Sequence, residues 1–387
     1  MIDWVIIMRK TTSFASAALL ILTAAACIFA ADAVKAGALC GVERCLTTVI
    51  PSLYAMMAVS GLLLQSGTVS AAGKLLHRAG RLLFGMDGDI FVIFLFSNIA
   101  GYPVGAKMLL AQYRAGRLTR REAELLTGLC FGAGPAFVMG CAAGLFCSPA
   151  RAGLLIMLSC VGADLLLAFA ASFILRKHGS RAPSAAGVSL RAEMLADSVS
   201  SAGKSMGEIC FAVTAFAVIS ALLGHFGIIP AAAELLSRIS GRDYSSAAGL
   251  ICSAIDVTAV SGLSSGDMTL LPPAAGLISF GGLCVFMQIS AIFRGELSLV
   301  PAFLLRICAS ALSFGICRIL LPHFLLGEAV CAAAMRPQLH SGDSPVPSVL
   351  LAIMTAMLFI RSNVDIPKTC RGEQCSPANY VSYPVQR

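Results

Sequence analysis

Charge is scarce in this 387-residue chain: Asp, Glu, Lys and Arg together make up only 12% of it. A soluble domain carries about a quarter. With 58% hydrophobic residues and a mean hydropathy of +0.86, the composition excludes a soluble globular protein and predicts a polytopic membrane protein. Chemistry-bearing motifs are missing too. There is no Cys-x-x-Cys pair, no His-Glu-x-x-His, no Gly-x-x-x-x-Gly-Lys-Ser/Thr phosphate loop and no spaced Ser/His/Asp set, and the five histidines are scattered. No enzyme activity, no cofactor and no metal site are expected.

The formal charge is +8, but the basic residues cluster in a few segments between apolar runs. That is the pattern of cytoplasmic loops and calls for no nucleic-acid partner. The 15 cysteines lie largely in apolar runs and read as small hydrophobes; Cys370 and Cys375 sit in a polar tail. Arg9 and Lys10 precede an apolar run from Phe14 to Ala31, long enough to span and read as an uncleaved anchor. Asp32 to Cys45 carries mixed charge and reads as an interfacial segment, followed by a second span from Thr48 to Gln65 with Pro51 near its start. Lys74, His77, Arg78 and Arg81 interleave with Leu75, Leu76, Leu82 and Leu83, the pattern of a basic amphipathic helix on an anionic leaflet.

The stretch SNIAGYPVGAK, Ser97 to Lys107, places Asn, two Gly, Pro and Lys inside the otherwise apolar run Ile90 to Gln112. Regular helix should fail there. Broken backbone survives in a bilayer only where protein or water satisfies it, so the break marks a site or a hinge, a kinked span being the alternative. Basic clusters flank both ends, Arg114, Arg117, Arg120 and Arg121 following, so a re-entrant hairpin with its tip at Gly101 to Gly105 is expected. Thr119 and Glu122 form a capping box for a short helix. A second break at Gly132, Gly134 and Pro135 interrupts a span from Leu125 to Phe146, and an unbroken span, Ala152 to Leu175, holds Asp164.

After a basic loop from Arg176 to Lys204 the plan recurs. Ser205 to Leu223 is a span. ICSAIDVTAVSG, with Asp256 and Thr258, reads as a second hairpin entering from outside. LISFGGLCVFMQISAIF is a span broken at Gly281 and Gly282, and Leu297 to Leu321 holds Arg306. The expected fold is therefore all-α and polytopic, two inverted repeats with re-entrant helical hairpins and broken transmembrane helices. Its divisions are residues 1–66 (N-terminal spans), 67–180 (first repeat), 181–204 (basic linker), 205–321 (second repeat), 322–347 (external loop), 348–361 (short final span) and 362–387 (disordered tail).

At AGYPVGAK, LTRREAELL, CFGAGPAF, IDVTAVSG and ISFGGLCVFMQI the chain resembles the YlbJ family of sporulation integral membrane proteins. More broadly it is similar to the nucleoside-recognition or Gate domain group, which includes spore maturation proteins and is similar to the core of concentrative nucleoside transporters. The resemblance covers about Gly37 to Leu321. Ala100 stands where the family has Ser, Gly132 to Gly134 where it has polar residues, and Asp256 where it has Glu. The resemblance implies a multi-pass protein of the plasma membrane, in the mother cell or forespore, acting as a permease or channel in spore formation, with dipicolinate as a cargo.

The residues expected to contact solute are Asn98, Gly101, Tyr102, Pro103, Gly105, Lys107, Gly132, Gly134, Pro135, Asp256, Thr258, Gly281, Gly282 and Gln288. Hairpin N–H groups and half-helix ends would replace the solute's water, and Lys107 and Asp256 would set charge preference. Asp164 and Arg306 hold corresponding places in the two unbroken spans, as an ion pair or as transport groups. The expected partners are the lipid bilayer and a small polar or anionic solute; oligomeric state is not encoded legibly. The rival reading is a non-transporting membrane scaffold needed for spore cortex or envelope assembly.

Overall fold

Glycine spacing sets the first contact of the fold. In the computed structural model, helix α1 (Ala31–Gln65) is antiparallel to α8 (Ala192–His225), with Gln65 bonded to Ser198 at one end and Gly37 against Ala221 at the other. A Cβ on Gly37 would lie 2.9 Å from Val218 Cα, and one on Gly41 2.6 Å from Thr214 Cα. Glycines four residues apart thus bring two backbones together, as small residues do between membrane helices. This corrects the expectation for Asp32 to Cys45. The segment is helix, continuous with the span that follows, because its glycines serve close packing rather than a turn. The helix widens to a π turn at Cys45–Val49, just ahead of Pro51, whose ring would crowd a regular preceding turn.

The structure describes residues 21, 24–142, 149–175, 188–263 and 267–325, all within the compact unit Met1–Pro337. Most of the expected first span, residues 176–187 of the basic loop, 264–266 of the polar turn, the final span and the tail with Cys370 and Cys375 lie outside the described residues. All regular structure among the described residues is helical, with no strand. Five helices are long and apolar enough to cross a membrane, or up to six if a bent pair counts as one span. The protein is a multi-pass, all-helical membrane protein.

After α1 come α2 (Thr68–Phe84) and α3 (Gly88–Ala100), bent 84° from each other. Left-handed glycines, Gly67 and Gly85, bound α2. Chain breaks then separate α4 (Val104–Arg114), α5 (Arg120–Leu129) and α6 (Pro135–Phe137), the last continued as a π turn over Val138–Ala142. The Thr119 and Glu122 capping box is present at the start of α5. Helix α7 (Pro149–Leu175) completes the first half.

The second half opens with α8, which begins at Ala192 inside the segment expected to be linker, so 181–204 is not all loop. Ser198 and Ala202 are buried along this extension, which gives it a packed face. Then follow α9 (Ile228–Ser240), bounded by left-handed Gly227 and Gly241, and α10 (Tyr244–Ile255). Two 3-10 turns, Val257–Gly262 and Met268–Leu270, lead to α11 (Leu271–Phe280), α12 (Gly282–Phe293) and α13 (Val300–Leu325). Helix α13 runs past Leu321 through Pro322, so the external loop expected from 322 starts later.

On α7 the exposed large side chains are Leu154, Leu158, Leu165, Leu166, Phe169 and Phe173, which fall within about 120° of one another as one broad helical stripe. Such a stripe has no place in water and fits acyl chains. Phe94, Phe131, Phe293, Met57 and Met108 fill the interior instead.

Candidate functional site

Four interruptions of helix meet at one place. The first runs from Gly101, extended with φ +84° and ψ 163°, to Pro103, with a cis Tyr102–Pro103 bond; the second spans residues 130–134. They touch backbone to backbone. A Cβ on Gly134 would lie 3.0 Å from Ile99 O and 3.1 Å from Gly101 N. The third falls at Asp256, the fourth at left-handed Gly281 and Gly282, and a Cβ on Gly282 would lie 2.9 Å from Val257 N. Tyr102 of the first break lies with its ring 5.2 Å from that of Phe131 in the second, and Phe131, stacked at 5.3 Å on Phe286 of α12, joins this pair of breaks to the other.

Between the breaks lies a cavity of about 30 Å³. Helix α1 lines it with Val49, Ser52 and Leu53 beside the π turn, and α8 with Ile209 and Val213. The first two breaks and their flanks supply Gly101, Tyr102, Gly134 and Phe137; the others supply Asp256, Val257, Thr258, Val285 and Gln288. A water needs roughly 10–15 Å³ of such space, so this chamber holds a few waters at most, its few polar groups set among apolar side chains.

Asp256 is its charged wall. The carboxylate accepts from Thr258 N at 3.0 Å, from Thr258 Oγ1 at 2.7 Å and from Arg44 Nη1 at 2.9 Å. Its side chain is 2% exposed and that of Arg44 29%. Burying a carboxylate is tolerable here because three donors replace its water. Placed at the end of α10, Asp256 also caps the 3-10 turn that follows.

A second buried pair holds the breaks from behind. Arg306 on α13 donates to Asp164 Oδ1 on α7 at 2.7 Å, with side chains 1% and 2% exposed. Its two terminal nitrogens also reach Ser279 Oγ at 3.0 Å and the carbonyls of Gly128 and Phe131 at 3.1 and 3.2 Å, while Nε is buried without a partner. Those carbonyls end α5, where no further turn exists to satisfy them. Arg306 therefore caps the broken helix within the apolar interior, and Asp164 neutralises the cap. The guanidinium also lies 5.1 Å over the Phe131 ring.

Of the residues expected to contact solute, Gly101, Tyr102, Gly134, Asp256, Thr258 and Gln288 line the cavity. The others do not. Asn98 bonds Phe94 O in its own helix at 3.0 Å, and Gly132 packs on it. Pro103 and Pro135 sit at the starts of α4 and α6; Gly105 presses on Ser97, and Gly281 on Phe131. Lys107 turns away to α8, donating to Ser201 Oγ and Ser205 Oγ at 3.0 Å each. It lies outside the lining of this cavity, its ammonium held by two hydroxyls on the long helix. Arg44 and Ser52 complete the polar set. Arg44 was legible as the cation nearest the apolar part of the helix, once that helix is continuous.

Compared with known proteins, the chain matches no family model, no curated protein and no solved structure.

Proposed function

We propose that this chain is a membrane permease that moves a small polar solute through the chamber at Asp256, built from two inverted repeats. The observation that carries the reading is the convergence of four helix interruptions around one small cavity, where Ser52, Asp256, Thr258 and Gln288 stand among apolar side chains. Unpaired backbone at membrane depth belongs where a hydrophilic passenger needs it.

Several features support the repeats. Long helices α1 and α8, 35 and 34 residues, run antiparallel and open the two halves. Each leads through a left-handed glycine to a helix that ends at another, then to an Asp N-cap with φ −64° and ψ 152°, Asp87 in one half and Asp243 in the other. Each hairpin is closed at its base by an arginine: Arg117 on Asp89 at 2.7 Å, and Arg242 on Thr269 Oγ1 at 2.9 Å, with Asp267 at 4.0 Å. The unbroken α7 and α13 end the halves and share the Asp164–Arg306 pair.

In this mechanism a solute replaces the few waters of the chamber and bonds Asp256, Thr258, Gln288 and Ser52. Arg44 together with Asp256 sets the charge preference. The chamber opens by separating α4 and α12 from α8, a closure maintained here by Lys107 on Ser201 and Ser205 and by Arg294 on Glu208 at 3.2 Å. On the resemblance to sporulation proteins, dipicolinate is the first solute to test. Uptake of labelled dipicolinate and of neutral polar solutes into proteoliposomes tests the reading. Asp256→Ala, inserted normally, abolishes uptake if the chamber is the route. A protein that takes up none of them and gains no thermal stability from any is a scaffold instead.

A further inference from the structure

Helix α2 contains Lys74, His77, Arg78 and Arg81 and no acidic residue. At about 100° per residue, Lys74, Arg78 and Arg81 fall within about 60° of one another, and Leu75 and Leu82 lie about 20° apart beside them. Those two leucines are 84% and 74% exposed. The buried face, with Val69, Gly73 and Gly80, packs on the protein. Because α2 turns 84° from α3, a membrane-crossing α3 leaves α2 lying along the membrane surface.

Under the end of α2 lies a groove of about 660 Å³, within the roughly 300–1,000 Å³ of small-molecule sites. His77, Arg78 and Arg81 form one wall, and Ile90, Leu126 and Leu175 provide an apolar floor. Its two carboxylates are engaged already: Asp87 lies 3.7 Å from Arg81, and Glu122 accepts from Thr119 in the capping box. Arg78 has no ion pair among the described residues, and His77 Nδ1 is buried without a hydrogen-bond partner. Residues 176–187 follow Leu175 with Arg176, Lys177, His178 and Arg181, the same sign as the wall, so they do not complement it.

We propose that this groove binds an anionic phospholipid, its headgroup phosphate held by Arg78, Arg81 and His77 and an acyl chain lying on Ile90, Leu126 and Leu175. Basic wall, apolar floor and a position along the membrane surface together select a lipid over a soluble anion.

The test uses the full chain in detergent, titrated with phosphatidylglycerol or phosphatidylcholine while thermal unfolding is followed. Phosphatidylglycerol is expected to raise Tm by several degrees more than phosphatidylcholine. Arg78→Gln with Arg81→Gln should remove most of that difference, whereas Arg238→Gln on α9 should leave it intact. Equal shifts from both lipids, or a difference that survives in the double variant, overturn the proposal. So does an equal, arginine-dependent shift with inorganic phosphate alone, which would make the site one for a free anion. If the double variant does not fold, mass spectrometry of lipids retained by the wild-type chain decides. Phosphatidylglycerol enriched over the source membrane upholds the site, and no enrichment overturns it.

Discussion

Arg117 Nη1 stands 2.7 Å from Asp89 Oδ2, although 28 residues separate them. Along a continuous helix that separation would be about 42 Å. The chain between them therefore folds back on itself, down α3 and up α4, and the arginine closes the hairpin at its base. Ser70 donates to the same carboxylate oxygen at 2.9 Å, which ties α2 to the closure.

Asp89→Ala is expected to loosen this hairpin. The arginine is 37% exposed, so solvent screens part of the attraction, and the loss should be about 1–3 kcal/mol in unfolding experiments. Single cysteines placed at Ile90 and Tyr113, in a background cleared of reactive thiols, should label from the same face of the membrane. Labelling from opposite faces would refute the hairpin.

The Arg306–Asp164 pair should behave differently because it is dry. Arg306→Met leaves a buried carboxylate without its cation and two carbonyls without donors, a destabilisation of about 3–5 kcal/mol. Adding Asp164→Leu should recover part of that loss, since the stranded charge goes with it. A double variant as unstable as the sum of the singles would show that the two side chains do not act as a pair.

Much of this architecture was readable from residue order. The breakers at Gly101 to Pro103, Gly132 to Pro135 and Gly281 to Gly282 all stand where helix stops, because the backbone preferences of Gly and Pro are local and need no tertiary knowledge. What a glycine does inside a helix is not local. Gly37 and Gly41 stood unremarked in a segment read from its charge as interfacial, and they admit a neighbouring backbone, which only the partner helix reveals. The same limit governs charge. The matching places of Asp164 and Arg306 left an ion pair and transport groups both open, Lys107 was aimed at the chamber and faces α8, and Arg44 was overlooked. Side-chain direction depends on helix rotation, and short apolar helices carry little periodic signal to fix it.

Acid should act first at the surface. Glu296, between α12 and α13, is bonded by Arg114 at the end of α4, which holds its carboxyl below the usual glutamate value. A lowered folded value means the bond's contribution is complete above the ordinary glutamate range and is lost as pH falls through the lower, folded one. Thermal unfolding of the wild type should therefore fall on acidification below about pH 4.5, and Glu296→Gln should flatten that limb. An unchanged acid limb in the variant would remove Glu296 as its source.

Gly282 offers the sharpest separation of folding from function. Its φ is +73° and that of Gly116 is +70°, so alanine at either position meets a similar conformational penalty of about 1–2 kcal/mol. Their surroundings differ. Nothing lies within 4 Å of a Cβ on Gly116, whereas one on Gly282 would meet Val257 N at 2.9 Å, next to the carboxylate and hydroxyl that line the chamber. Gly116→Ala should therefore reduce stability alone and leave solute uptake per folded molecule unchanged. Gly282→Ala should displace Val257 and Thr258 and abolish uptake even where the protein remains folded and inserted. Equal uptake by the two variants, measured at matched amounts of folded protein, would mean that the approach of α12 to the third break does not shape the chamber.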